Sequence, residues 1–178
     1  MKSAAATAAM AALSLVAVSG AEAPKPETFV LTGRQTEEVS VAVRFIAAFN
    51  ARRLSQALAL LTPTAVVSDC DYRAVAAVQF FGRRDQTKWL RTRFADRDRL
   101  TVARMANQNP DQPEGTVGIQ YSRRESRTLR ALGFANGIKP ELASKVIFTA
   151  RQPIRISRFA NGPVGGSPES CRPRPYAP

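Results

Sequence analysis

The chain of 178 residues contains no histidine at all. That absence removes serine–histidine–aspartate triads, cysteine–histidine pairs and every histidine-based metal site. Only two cysteines are present, too few for a tetrahedral cysteine zinc site. No phosphate-binding glycine loop and no Asn-x-Ser/Thr acceptor occurs. Acidic residues are also scarce: 14 Asp and Glu face 26 Lys and Arg, a formal charge of +12. Lysine contributes five of those cations, so the positive charge is almost entirely arginine. Beyond the first two dozen residues no apolar run is long enough to span a bilayer.

The exception at the start has a specific pattern. Lys2 precedes the apolar run Ala4 to Val18, and Ala21-Glu22-Ala23 is a small-x-small cleavage site. This is the layout of a secretory signal peptide over residues 1–23, leading into a polar linker, 24–35. A mature protein in the periplasm or the medium follows as an expectation, with no membrane span. In that setting the pair Cys70 and Cys171 is expected to form a disulfide that pins the Pro- and Gly-rich tail, 161–178. The cationic surface would attract polyanions such as acidic envelope polymers. No basic block is dense enough to predict specific nucleic-acid binding.

Between linker and tail the sequence predicts one α+β domain over residues 36–160. Thr36 reads as an N-cap, followed by a helix whose apolar stripe is Val39, Ala42, Val43, Ile46, Ala47 and Phe49. A shorter helix carries Leu54, Ala57, Leu58 and Leu61 and stops at Pro63. Ala65 to Asp69 and Ala74 to Phe81 read as paired strands, with a turn at Asp71-Tyr72. After Gly82, helical spacing returns through Trp89, Leu90 and Phe94. Strand patterns follow at Leu100 to Ala106, Thr116 to Ser122, Leu142 to Ala150 and Ile154 to Phe159, with a helical turn near Ser126 to Leu132.

Three local features resemble the nuclear transport factor 2-like superfamily, which includes ketosteroid isomerases, scytalone dehydratase and polyketide-cyclase-like proteins. They are the helix pair Phe45 to Leu61, the strand Thr64 to Asp69, and Phe81-Gly82-Arg83 with Trp89-Leu90. The resemblance implies a cystatin-like cone: a curved, mostly antiparallel sheet of about six strands wrapped round three helices. It also implies an apolar cavity and, in many members, a homodimer. Phe80, Phe81, Trp89, Phe94, Tyr121 and Phe148 are the residues that would line such a cavity, each reading first as core. Ala74, Ala76, Ala77 and Gly118 are candidate positions for strand bending.

Enzymes of this superfamily place a carboxylate inside the cone, where burial raises its pKa for proton transfer. The available acid/base cluster here is Asp69, Asp71 and Tyr72, set at a strand end where acids also cap turns. The basic residues Arg123, Arg124 and Arg127 are candidates for holding an anion. The sequence therefore favours an exported, non-enzymatic cone-fold module for a small apolar or amphipathic ligand or a protein partner. An isomerase- or dehydratase-like enzyme using Asp69 or Asp71 with Tyr72 is the alternative, and binding of acidic envelope polymer is a third reading. No cofactor or metal is implied.

Overall fold

The computed structural model describes residues 33–107, 115–135, 139–161 and 171. The expected signal peptide, nearly all of the linker and most of the tail lie outside these residues. Helix α1 (Gly33–Asn50) leads into α2 (Leu54–Leu60), and β1 (Leu61–Asp71) pairs with β2 (Ala76–Phe81). Helix α3 (Gly82–Ala95) follows without a loop, then β3 (Arg99–Asn107), β4 (Thr116–Arg124), the short α4 (Arg127–Ala131), β5 (Lys139–Phe148) and β6 (Ile156–Asn161). The six strands form one sheet in the order β2-β1-β6-β5-β4-β3. Among the described residues only the β1–β6 pair is parallel. The fold is α+β with a mostly antiparallel sheet, in agreement with the sequence.

Helix α1 begins three residues before Thr36, at Gly33, so the predicted cap lies inside the helix. Its buried face is also rotated from the predicted stripe. Val41, Phe45 and Phe49 are fully buried together with Ala42, Ile46 and Ala48, whereas Val43 is half exposed and Ala47 is exposed. The larger Phe45 decides the face, because burying an aromatic ring removes far more apolar area than burying an alanine. The second helix ends before Pro63 rather than at it, and Pro63 instead sits in β1. There the pairing with β6 slips between Leu61 and Val66, a bulge that tolerates a residue without an N–H.

Bending falls elsewhere than the sequence suggests. Register shifts lie at Val102/Arg104, Tyr121/Arg123 and Ile147/Phe148, while Ala77 and Gly118 sit in regular ladder positions. A bulge bends a strand by inserting an unpaired residue, so small side chains are not required for it. Inside the curve, aromatic rings meet. Phe45 contacts Trp89 and Phe159 at centroid distances of 6.4 and 5.1 Å, and Phe49 contacts Trp89 at 5.8 Å and Phe94 at 5.6 Å. Val67, Ile119, Val146, Phe148 and Ile156 complete this core from the sheet side.

Two glycines have definite causes. Gly82 turns the chain directly from β2 into α3 at φ +72°, a left-handed conformation that costs a residue with a Cβ about 1–2 kcal/mol. Gly115 lies against the carboxylate of Glu38, which is buried on α1 and ion-paired with Arg34, so a Cβ at Gly115 would collide with it. Cys70 and Cys171 are bonded, closing a sequence separation of 101 residues. A cross-link over that length stabilises by about 4–5 kcal/mol through the unfolded chain. Gly82→Ala is expected to cost roughly 1–2 kcal/mol in denaturant unfolding, from the positive φ alone, since its Cβ would meet only the Pro63 carbonyl at an ordinary 3.9 Å. Gly115→Ala should cost more than Gly82→Ala, because the buried, Arg34-paired Glu38 carboxylate must move; equal or reversed losses would contradict the Glu38 contact.

Candidate functional site

The acid expected at a turn, Asp69, is instead buried at the inward-facing end of β1. Ala65, Val67 and Asp69 alternate into the interior, so the period of the strand carries the carboxylate inside. Three hydrogen-bond donors and a second, ion-paired guanidinium surround it. Trp89 Nε1 donates to Oδ2 at 2.7 Å, and the Cys70 N–H donates to Oδ1 at 2.8 Å. Arg123 Nη2 donates to both oxygens at 2.9 and 3.0 Å, and Arg93 Nε lies 2.8 Å from Oδ2. Arg93 also donates from Nη2 to the Cys70 carbonyl at 3.0 Å.

Arg123 reaches this point by the same alternation on β4, where Val117, Ile119, Tyr121 and Arg123 are all buried. Its neighbour Arg124 points outward and is exposed. Arg123 therefore spends its charge internally, on Asp69 and on Asp98, whose Oδ2 lies 3.2 Å from Arg123 Nε. That second contact is an ion pair without an aligned hydrogen bond, for neither Asp98 oxygen accepts one among the described residues. The Tyr72 ring lies under the Arg123 guanidinium, 5.4 Å from centroid to Cζ.

These surroundings separate the two carboxylates. Burial alone would raise the Asp69 pKa, but Arg123, Arg93 and the indole N–H outweigh it and hold the group below its ordinary value. Asp98 is pushed up to about 6, chiefly by burial, with Arg123 opposing. Burial also raises the Tyr72 phenol. An acid held ionised by two cations accepts no proton at neutral pH, which is the reverse of a general base in an apolar cavity. Asp71 is committed otherwise: its Oδ1 accepts from the N–H groups of Arg73 and Ala74, fixing the β1–β2 turn.

Beside the cluster opens a cleft of about 570 Å³ between the β1–β2 turn, the C-terminal half of α3 and the start of α4. Val78, Phe80 and Ala95 give it an apolar wall, and Arg73, Lys88 and Arg127 bring positive charge. None of these three cations forms an ion pair among the described residues. Asp96 fixes the far wall, accepting from Ser126 Oγ and from Thr128 N and Oγ1, so that α4 is tied to the end of α3. Asp69, Tyr72 and Arg93 form the floor.

Of the six aromatics offered as cavity lining, Phe80 borders this cleft. Trp89, Tyr121 and Phe148 are buried in the core, Phe94 is half-buried against it, and Phe81 is 58% exposed. Of the three anion candidates, Arg127 borders the cleft and Arg124 is on the outside. Sequence reasoning missed Arg93 and Asp98, and it missed the role of Trp89 as a donor to Asp69.

Asp98 makes stability depend on pH. In the unfolded chain it ionises near 3.8, but in the fold only near 6. Its contribution is therefore fully present below pH 4 and is lost as pH rises through 6, by up to about 3 kcal/mol. Asp98→Asn should gain stability relative to the wild type across pH 4 to 6.5, measured by urea unfolding at each pH; parallel curves would contradict the buried, poorly hydrogen-bonded carboxyl. Asp69→Asn should lose about 3–5 kcal/mol at pH 7, because it leaves the buried Arg123 with only the poorly aligned Asp98 as a charge partner.

No protein-family profile matches the sequence, and no curated protein matches it significantly. Solved structures do. A protein of unknown function with a cystatin-like fold from Nostoc punctiforme superposes with TM-score 0.54 at 11% identity, covering 75% of this chain and 93% of that one. A cystatin-like protein of unknown function from Methylobium petroleophilum gives 0.51 at 12% identity, covering 74% and 76%. ActVI-ORFA from Streptomyces coelicolor gives 0.53 at 13% identity, covering 73% and 96%. At such identities the likeness is one of fold: this chain has a cystatin-like fold.

Proposed function

We propose that this protein is a binding module rather than a catalyst, and that the cleft beside Cys70–Cys171 receives a small amphipathic anion. The observation that carries this reading is the pairing of an apolar wall, Val78, Phe80 and Ala95, with three cations that have no carboxylate partner among the described residues. A ligand with an apolar body and one acidic head satisfies both sides. The cleft's volume suits a molecule of small-ligand size. Two further features support binding over catalysis. Asp69 is locked by cations, and the centre of the cone is occupied by Phe45, Phe49, Trp89 and Phe159 in mutual contact.

The setting proposed for it is outside the cytoplasm. The secretory pattern of residues 1–23 and the long-range disulfide both support that setting. Among the described residues no helix is long and apolar enough to cross a membrane. A homodimer remains a proposal drawn from the resemblance alone.

Decanoate is a suitable probe, with decanol as its uncharged counterpart. Titrated into ¹⁵N-labelled protein, decanoate should shift the amides of Val78, Phe80, Ala95 and Arg127, and decanol should bind at least about tenfold more weakly. Arg127→Ala should weaken decanoate by a few-fold, and added salt should do the same. Equal affinity for decanol and decanoate would remove the anion from the proposal. Shifts confined to the aromatic core, or none at millimolar concentration, would overturn it.

A further inference from the structure

The outer face of α3 carries a charge pattern that the cleft does not use. Arg84, Lys88 and Arg91 recur at i, i+4 and i+7, so they form one stripe with intervals of about 6 and 4.5 Å along the axis. All three are exposed. They border an open groove of about 620 Å³ together with Arg83, Thr87 and Thr92. Arg83 is turned to the groove's base, donating to the carbonyls of Leu58 and Leu61 and so fixing α3 against α2.

An ordinary solvated helix face intersperses acids with such cations, because opposite charges at i, i+4 stabilise and like charges repel. The only acid of α3 is Asp85, whose carboxylate accepts from the Phe81 N–H at the helix start. Arg84, Lys88 and Arg91 form no ion pair among the described residues. Lys88 therefore repels a like charge on each side, a cost that a bound polyanion removes.

We propose that this face binds an acidic polysaccharide. A linear polyanion matches a row of charges, whereas a single small anion would meet one or two of them. Sugar rings suit the rest of the surface. Thr87 and Thr92 donate their hydroxyl protons to the carbonyls of Arg83 and Lys88, which leaves each Oγ free to accept from a sugar hydroxyl. The arginine and lysine stems give the groove an apolar floor on which a pyranose face can rest. Among the described residues no aromatic side chain lines the groove, so they offer no platform for the base stacking that holds single-stranded nucleic acid. The overall charge of +12 adds long-range attraction.

The site is separable from the cleft. Arg84 and Arg91 border the groove alone, Arg73 and Arg127 the cleft alone, and Lys88 both. The test uses the full chain and heparin as the polysaccharide, with affinity measured by calorimetry at several salt concentrations. Arg84→Ala/Arg91→Ala should bind about tenfold more weakly, with a shallower dependence on salt. Arg124→Ala/Arg155→Ala removes the same charge from other exposed positions and should bind nearly as the wild type does. Decanoate binding should survive in the α3 variant. Equal losses in the two double variants would reduce the effect to net charge and overturn the proposal. Tighter binding of a thymidine oligonucleotide than of heparin at matched charge would overturn it as well.

Discussion

One buried carboxylate holds the parts of this cone in register. Asp69 on β1 and Arg123 on β4 belong to strands separated by β6 and β5 in the sheet, so their contact spans the concave side. Moving each ion from water costs several kcal/mol, and only a nearly complete set of partners repays that cost. Here the set is two arginines, an indole N–H and a backbone N–H around one carboxylate. The indole bond fixes Trp89, and Trp89 fixes where α3 lies over the sheet. The same cluster holds both the N–H and the carbonyl of Cys70, so the disulfide and the floor of the cleft inherit its geometry.

That arrangement also decides what chemistry the fold can support. A proton-transfer carboxylate in a cone needs apolar surroundings, which destabilise its charge. Asp69 has the opposite environment. Asp98 is the carboxyl held up near 6, yet it does not border the cleft and faces Arg123 inside the cluster. The two acids thus share one guanidinium and differ in how many hydrogen bonds they receive. Two surfaces flank Lys88: an apolar and cationic cleft on one side, and a cationic groove on the other.

The fold was largely legible because its signals are local. Gly82, placed between an apolar strand and a helix carrying Trp89 and Leu90, marks a turn that only glycine makes cheaply. Strand order and the parallel β1–β6 pair depend on pairings far apart in sequence; the resemblance implied a mostly antiparallel sheet of about six strands, and periodicity could not order them. The site was less legible. Asp69 looked like a turn cap because its neighbour Asp71 is one. Its burial follows from the alternation Ala65, Val67, Asp69, and that of Arg123 from Val117, Ile119, Tyr121, Arg123. Read along the strand, each charge stands where an apolar residue belongs; a cation and an anion so placed on two strands predict each other. Arg93 and Asp98 gave no such signal, because a charge near a helix end is normally solvated. The anion candidates separated for the same reason: adjacent residues on a strand face opposite sides.

The central claim is that Asp69 is a structural anion, and its titration tests that claim directly. Carboxyl-carbon chemical shifts of aspartate-labelled protein, followed from neutral pH down to the acid limit of the fold, report each group separately. Asp69 should remain ionised below the ordinary aspartate value near 3.8. A midpoint for Asp69 above 5 would contradict the account, for it would mean that the arginines do not hold the charge and that the carboxylate is free to move a proton.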